Sequence, residues 1–111
     1  MIAVTNEVLD RMVEAIVREV DPEEIWLFGS RARGEAREYS DVDLLVIERE
    51  PFTKGGRRWR HLSRLYDLAA ERRLPVDILL YSQDEVSLWR EHAGHILGTA
   101  LQYGRRIYER P

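Results

Sequence analysis

Asp41 and Asp43 stand two residues apart in the run Ser40-Asp41-Val42-Asp43-Leu44-Leu45-Val46. Side chains alternate faces along a strand, so this spacing predicts that both carboxylates project to one side and share one ligand. In a largely apolar strand, two such groups repel each other and resist desolvation unless a cation lies between them. Hard oxygen donors of this kind suit magnesium or manganese. Taken alone, the pair also has a plainer reading, as the exposed start of a strand with Asp41 capping a turn. Asp77 adds weight to the metal reading. It follows Pro75 and opens the otherwise apolar run Val76-Asp77-Ile78-Leu79-Leu80, where a lone carboxylate is costly, although a turn residue is the simpler account. If the two strands are neighbours, three carboxylates converge at one end of a sheet, as in sites where two metal ions hold attacking and leaving oxygens.

Gly29-Ser30 follows the apolar run Ile25-Trp26-Leu27-Phe28 and precedes a helical stretch. Backbone N–H groups at such a junction can face an anion, glycine lets a phosphate approach the main chain, and the serine hydroxyl adds a donor. Gly-Ser turns are common, so the pair alone is also readable as a turn. Arg31 and Arg33 could contact phosphate or simply be solvated. Gly29 and Gly34 have the spacing of P-loop glycines, but Glu35-Ala36 stands where a P-loop needs Lys-Ser/Thr, so that reading fails.

The rest of the chain must position these residues. Val8, Leu9, Met12, Val13, Ile16, Val17 and Val20 recur at helical spacing and predict a helix over 7–20, capped by Thr5 or Asn6 and stopped by Asp21-Pro22. Strands are predicted over 25–28, 42–47 and 76–81, with a short helix over 30–37 and a charged, glycine-containing connection over 48–58. A helix with Trp59, Leu62, Leu65, Tyr66 and Ala69 on one side follows that connection. Ser82-Gln83-Asp84-Glu85 fits a capping box opening a helix to about residue 91. Gly94 and Gly98 interrupt the pattern before a last helix with Ile96, Leu97, Ala100, Leu101 and Tyr103, for which Gly104 is placed as a cap. The expected fold is α/β (α+β), a small mixed sheet of about three to four strands with helices packed on it.

Composition bounds the function. The sequence has 111 residues, 44% hydrophobic and 33% charged, which suits one domain over 1–111 able to bury a single core. Its 17 basic and 20 acidic residues leave a net charge of −3, without the strong positive field of a general nucleic-acid binder. There is no cysteine, hence neither disulfide nor thiolate chemistry. No apolar run approaches the roughly 20 residues of a membrane span, and no leader opens the chain, so a cytoplasmic location is expected. Lys54, Arg57, Arg58, Arg60 and His61 around Trp59 could grip RNA or an acidic partner face, but a solvated helix start is the simpler reading. His92 and His95 are three apart without a third soft ligand, which argues against a zinc site. Trp89, Leu97 and Leu101 are expected in the core.

The joint order is far more specific than its parts. Leu27-Phe28-Gly29-Ser30-Arg31-Ala32-Arg33-Gly34 with Tyr39-Ser40-Asp41-Val42-Asp43-Leu44-Leu45-Val46, and later Val76-Asp77-Ile78, resembles the minimal nucleotidyltransferases of the DNA polymerase-β superfamily. The Gly104 to Tyr108 ending is similar too. The resemblance implies an enzyme that holds ATP with two magnesium ions, Gly29, Ser30, Arg31 and Arg33 binding the nucleotide. It also implies that Asp41 and Asp43 bind both metals, while Asp77 completes one and accepts the proton of the attacking hydroxyl. Larger relatives carry an added helical region, and 111 residues leave no room for one. Proteins of this type pair with all-helical HEPN toxins, so the resemblance further implies an antitoxin of a type VII-like toxin–antitoxin pair that transfers AMP to its partner. A binding antitoxin that covers its toxin, and nucleotidyl transfer to a small hydroxylated molecule, are the alternatives.

Overall fold

A computed structural model describes residues 4–34, 41–92 and 94–111. Helix α1 (Asn6–Val20) begins where the Thr5 hydroxyl accepts the N–H of Val8 at 3.2 Å. It ends at Asp21, in the left-handed conformation with φ 46°, which turns the chain into Pro22 and strand β1 (Glu24–Phe28). A single helical turn, α2 (Gly29–Ala32), leads toward β2 (Val42–Glu48). The predicted helix over 30–37 is thus found only in its first part, and Glu35 to Arg37 lie outside the described residues. Helix α3 (Arg57–Glu71), strand β3 (Val76–Ser82), helices α4 (Gln83–Trp89) and α5 (Ile96–Tyr103), and strand β4 (Arg105–Glu109) complete the chain.

The strands form one sheet in the order β3-β2-β1-β4. β1 lies antiparallel to both β2 and β4, and β2 pairs in parallel with β3 through the α3 crossover. Period-two alternation splits β2 between two apolar clusters. Val42, Leu44 and Val46 meet Met12, Ile16, Leu65, Leu68 and Ala69 from α1 and α3, while Leu45 and Ile47 meet Val86, Leu97 and Ala100 from α4 and α5. β2 is therefore buried on both faces except at its start, as its sequence requires.

Three details depart from expectation. β4 was not predicted as a separate element, because Arg105, Arg106 and Glu109 are exposed and break the apolar pattern. Trp59 is 73% exposed, since the row it shares with Leu62 and Leu65 enters the core only from Leu62 onward. Trp89 is also exposed, at 36%, rather than core. Gly104 does follow α5, but with extended φ −84° and ψ 175°. A Cβ there would overlap the carbonyl of Ala100 and come within 3.0 Å of that of Leu27, so it is close packing against β1 that demands glycine.

Glu85 ties α4 to the sheet. Its Oε1 accepts the Ser82 N–H at 3.0 Å, and its Oε2 takes Nη2 of Arg58 at 2.7 Å. Burial pushes the Glu85 carboxyl up, but the bonds from Arg58 and Ser82 together outweigh it and hold it below the usual carboxylate range. A depressed acid contributes stability above its unfolded pKa, and that contribution is lost as pH falls through the folded value. Glu85→Gln is expected to cost about 1 kcal/mol at pH 7, allowing for partial exposure of the pair. Thermal melts of variant and wild type should converge on acidification below about pH 4, near the ordinary glutamate pKa.

Candidate active site

β2 begins at Val42, and its register fixes the site. Asp43 lies opposite Phe28 on β1 and opposite Asp77 on β3. Register partners share a face, so the Asp43 and Asp77 side chains stand beside each other at one end of the sheet. They project on the face of Leu45, Ile47 and Leu79, covered farther along by α4 and α5. Asp41, just before β2, is exposed, Asp77 is exposed, and Asp43 is half-buried.

The Asp43 carboxyl is pushed up, first by burial, then by the charges of Asp77 and Asp41, with Arg33 pulling it back down. Asp43 thus feels the charge of both neighbouring carboxylates. Among the described residues, however, no three Asp, Glu or His side chains are drawn together closely enough to grip a metal ion as they stand.

Gly29 closes the site from β1. Its φ of +71° is left-handed, and a Cβ built on it would overlap the Asp43 carboxylate. Glycine is thus required twice, for backbone conformation and for the approach of the β1–α2 turn to Asp43. Gly29 opens α2 with Ser30 second in it, and the single turn is held by the Arg33 N–H donating to the Gly29 carbonyl at 3.3 Å. The two arginines diverge. Arg33 acts on Asp43, whereas Arg31 lines a cleft of about 180 Å³ with Thr5, Asn6, Leu9, Leu27, Gly34 and Arg105.

The weaker sequence signals take structural roles. Nδ1 of His95 accepts the Leu97 N–H at 3.1 Å, capping α5, while its ring stacks on Trp89 at 4.6 Å and His92 meets the same indole edge-on at 5.2 Å. Arg58 bonds Leu80 and Glu85 and covers Phe52 and Tyr81; Arg57 bonds the Glu50 carbonyl and Arg60 that of Gly55. Nδ1 of His61 meets the buried Glu48 at 2.7 Å. These basic residues hold the connection over 48–58 to the domain and do not form a free patch around Trp59.

A nucleotidyltransferase domain family matches residues 9–105. The chain belongs to that family. The chain is 38% identical over 71 residues to the "Probable protein adenylyltransferase MntA" of Haemophilus influenzae, covering 61% of this chain and 58% of that protein. It therefore spans somewhat over half the length of that relative. Among solved structures it resembles a nucleotidyltransferase candidate from Sulfolobus solfataricus, with TM-score 0.57 and 22% identity over 94% of this chain and 79% of the other. It also resembles a chain of a toxin–antitoxin complex with AMP-PNP, with TM-score 0.58 and 20% identity over 95% of this chain and 74% of the other. At these identities the likeness is one of fold, and it bears out the mixed α/β reading. Among the described residues, no helix is long and apolar enough to cross a membrane.

Proposed function

We propose that this nucleotidyltransferase domain transfers AMP from ATP to a hydroxyl of an all-helical HEPN-family partner and thereby acts as an antitoxin. The observation that carries the proposal is the close approach of Gly29 to Asp43 with Asp77 in register beside it, which brings the Gly29-Ser30 turn up against paired carboxylates. The similarity to MntA, and to a toxin–antitoxin complex that holds AMP-PNP, supports the choice of nucleotide and partner.

The donor set fits divalent magnesium, being all carboxylate oxygen with like charges pressing on Asp43. Asp41 and Asp43 would hold the metal, with Asp77 completing the set by rotation of its exposed side chain. Magnesium bound there would neutralise phosphate charge and supply Lewis acidity. The chain's own residues do the rest. The Gly29-Ser30 turn receives the triphosphate through backbone N–H groups and the serine hydroxyl. Arg33, already close enough to lower the Asp43 carboxyl, balances charge as the phosphates arrive. Asp77, exposed at the open side of the sheet, takes the proton of the attacking hydroxyl at its carboxylate oxygen. That hydroxyl attacks the α-phosphorus, the new P–O bond forms as the bond to the β-phosphate breaks, and pyrophosphate leaves.

Intact-protein mass spectrometry tests the reading. Mixed with ATP, magnesium and its helical partner, the wild type should add one or more AMP masses to the partner, and Asp41→Asn/Asp43→Asn should add none. Neutralisation of the partner by both proteins with no mass change would show that the protein acts by covering its target. AMP found only on a small hydroxylated acceptor would move the activity there.

A further inference from the structure

Between β3 and β4 the chain crosses the sheet face that carries Asp43 and Asp77, and α5 makes most of that crossing. Its start lies over the far end of β3, where the rings of His95 and Tyr81 meet at 6.2 Å. Its end lies beside the near end of β1, where it meets α2 and where Gly104 packs against the Leu27 carbonyl. α5 therefore runs obliquely past the corner at which β2 and β3 begin, and that corner holds Asp43 and Asp77.

Handedness decides which flank of α5 faces the corner. Parallel strands joined through a helix cross over right-handed. With α3 behind the sheet and β2 pointing up, β3 lies to the left of β2 and β1 to its right, so the two aspartates stand at the lower left. α5 descends from upper left to lower right in front of the sheet, seated on Leu97, Ala100 and Leu101. A right-handed helix descending in this way turns Ile96, Thr99 and Tyr103 to its lower-left flank and Gly98 and Gln102 to its upper-right one. The second flank is filled, since a Cβ on Gly98 would overlap the His92 carbonyl. The first is open: Ile96 is 47% exposed, Tyr103 is 61% exposed, and Thr99 between them is exposed as well.

The open row runs about 10 Å along the edge of the site, at 1.5 Å of rise per residue. With phosphates on the Gly29-Ser30 turn and the α-phosphorus at Asp43, the base is the part of the nucleotide that still needs a surface. An exposed tyrosine ring is such a surface for a planar base, and Ile96 extends its apolar side. We propose that α5 is the wall of the nucleotide site and that the base stacks on Tyr103. This rests on the nucleotidyl-transfer reading above and adds to it the residue that grips the base.

Calorimetric titration with magnesium ATP and with magnesium tripolyphosphate, which has the phosphate chain and no base, tests it. Wild type should bind ATP more tightly than tripolyphosphate. Tyr103→Ala should lose roughly 10–100-fold in ATP affinity, as for one base stacked on an aromatic ring, and keep its affinity for tripolyphosphate. Tyr103→Phe, which retains the ring, should bind both ligands as wild type does. The triphosphate of 2-aminopurine riboside should have its fluorescence quenched by stacking on wild type and Tyr103→Phe, and keep it on Tyr103→Ala. Unchanged ATP affinity in Tyr103→Ala overturns the proposal and leaves the nucleotidyl-transfer reading standing. So does an equal loss of ATP and tripolyphosphate, because the ring would then shape the site without touching the base. A wild type that binds neither ligand overturns both.

Discussion

Asp43→Asn is expected to abolish transfer while making the metal-free protein more resistant to heat. Asp43 is the half-buried member of the trio and the one on which the charges of Asp77 and Asp41 converge. Holding a catalytic metal is worth several kcal/mol, and each ~1.4 kcal/mol is tenfold in rate, so a loss of about 10³-fold or more is expected. Asparagine keeps the volume and removes the charge. Because the folded Asp43 pKa is raised, the native state holds this proton more tightly than the unfolded chain does, and its ionisation at neutral pH costs stability. That cost is present above the folded pKa and fades as pH falls through it toward the unfolded value of about 3.9. The variant should thus melt above wild type at pH 7, with the gap closing in acid. Magnesium should raise the melting temperature of wild type and leave the variant unmoved. Turnover within a few-fold of wild type would remove Asp43 from the chemistry, and a variant that melts lower at pH 7 would refute the electrostatic account.

The juxtaposition of Asp43 and Asp77 was legible because it rests on short-range rules. A parallel β2–β3 pair starting at matched positions brings Asp77 beside Asp43, while Asp41 lies just before β2. The sequence carried no sign that a Gly29 side chain would strike Asp43, because that contact joins β1 to β2 across the sheet and depends on the Phe28–Asp43 register. Nor could it separate Arg31 from Arg33. Two residues apart on a single helical turn, they face opposite sides, one lining the cleft beside α1 and the other acting on Asp43.

Errors arose where tertiary contacts override local pattern. Arg57, Arg58 and Arg60 read most simply as a solvated helix start, yet each is committed to a backbone carbonyl of its own domain. Arginine's long stem and fixed fork of donors suit it to such bridging, and composition cannot register that use. β4 was missed for a different reason. Its pairing with β1 shifts between Ile25 and Trp26, so Ile107 has no partner, adjacent Ile107 and Tyr108 are both half-buried, and no alternation is left to read.

Gly29→Ala is the second large effect, and its comparison with Gly34→Ala separates backbone strain from damage to the site. Both glycines are left-handed, with φ +71° and +72°, so either alanine pays about 1–2 kcal/mol for the conformation. Among the described residues, the new methyl at Gly34 meets nothing within 4 Å, whereas at Gly29 it overlaps the Asp43 carboxylate. The overlapped atom is the end of a side chain, so the fold survives by rotating Asp43 away. That rotation takes the central carboxylate out of line with Asp77. Both variants should therefore melt lower by roughly 5–10 °C, given about 4–8 °C per kcal/mol for a domain of this size. Only Gly29→Ala should also lose magnesium-dependent ATP affinity and transfer, by about 10²-fold, the cost of a misplacement near 1 Å. Calorimetric titration and steady-state rates on the pair would decide it. Equal losses of activity in the two would mean that backbone strain alone governs the turn, and that the approach of Gly29 to Asp43 has no part in binding nucleotide.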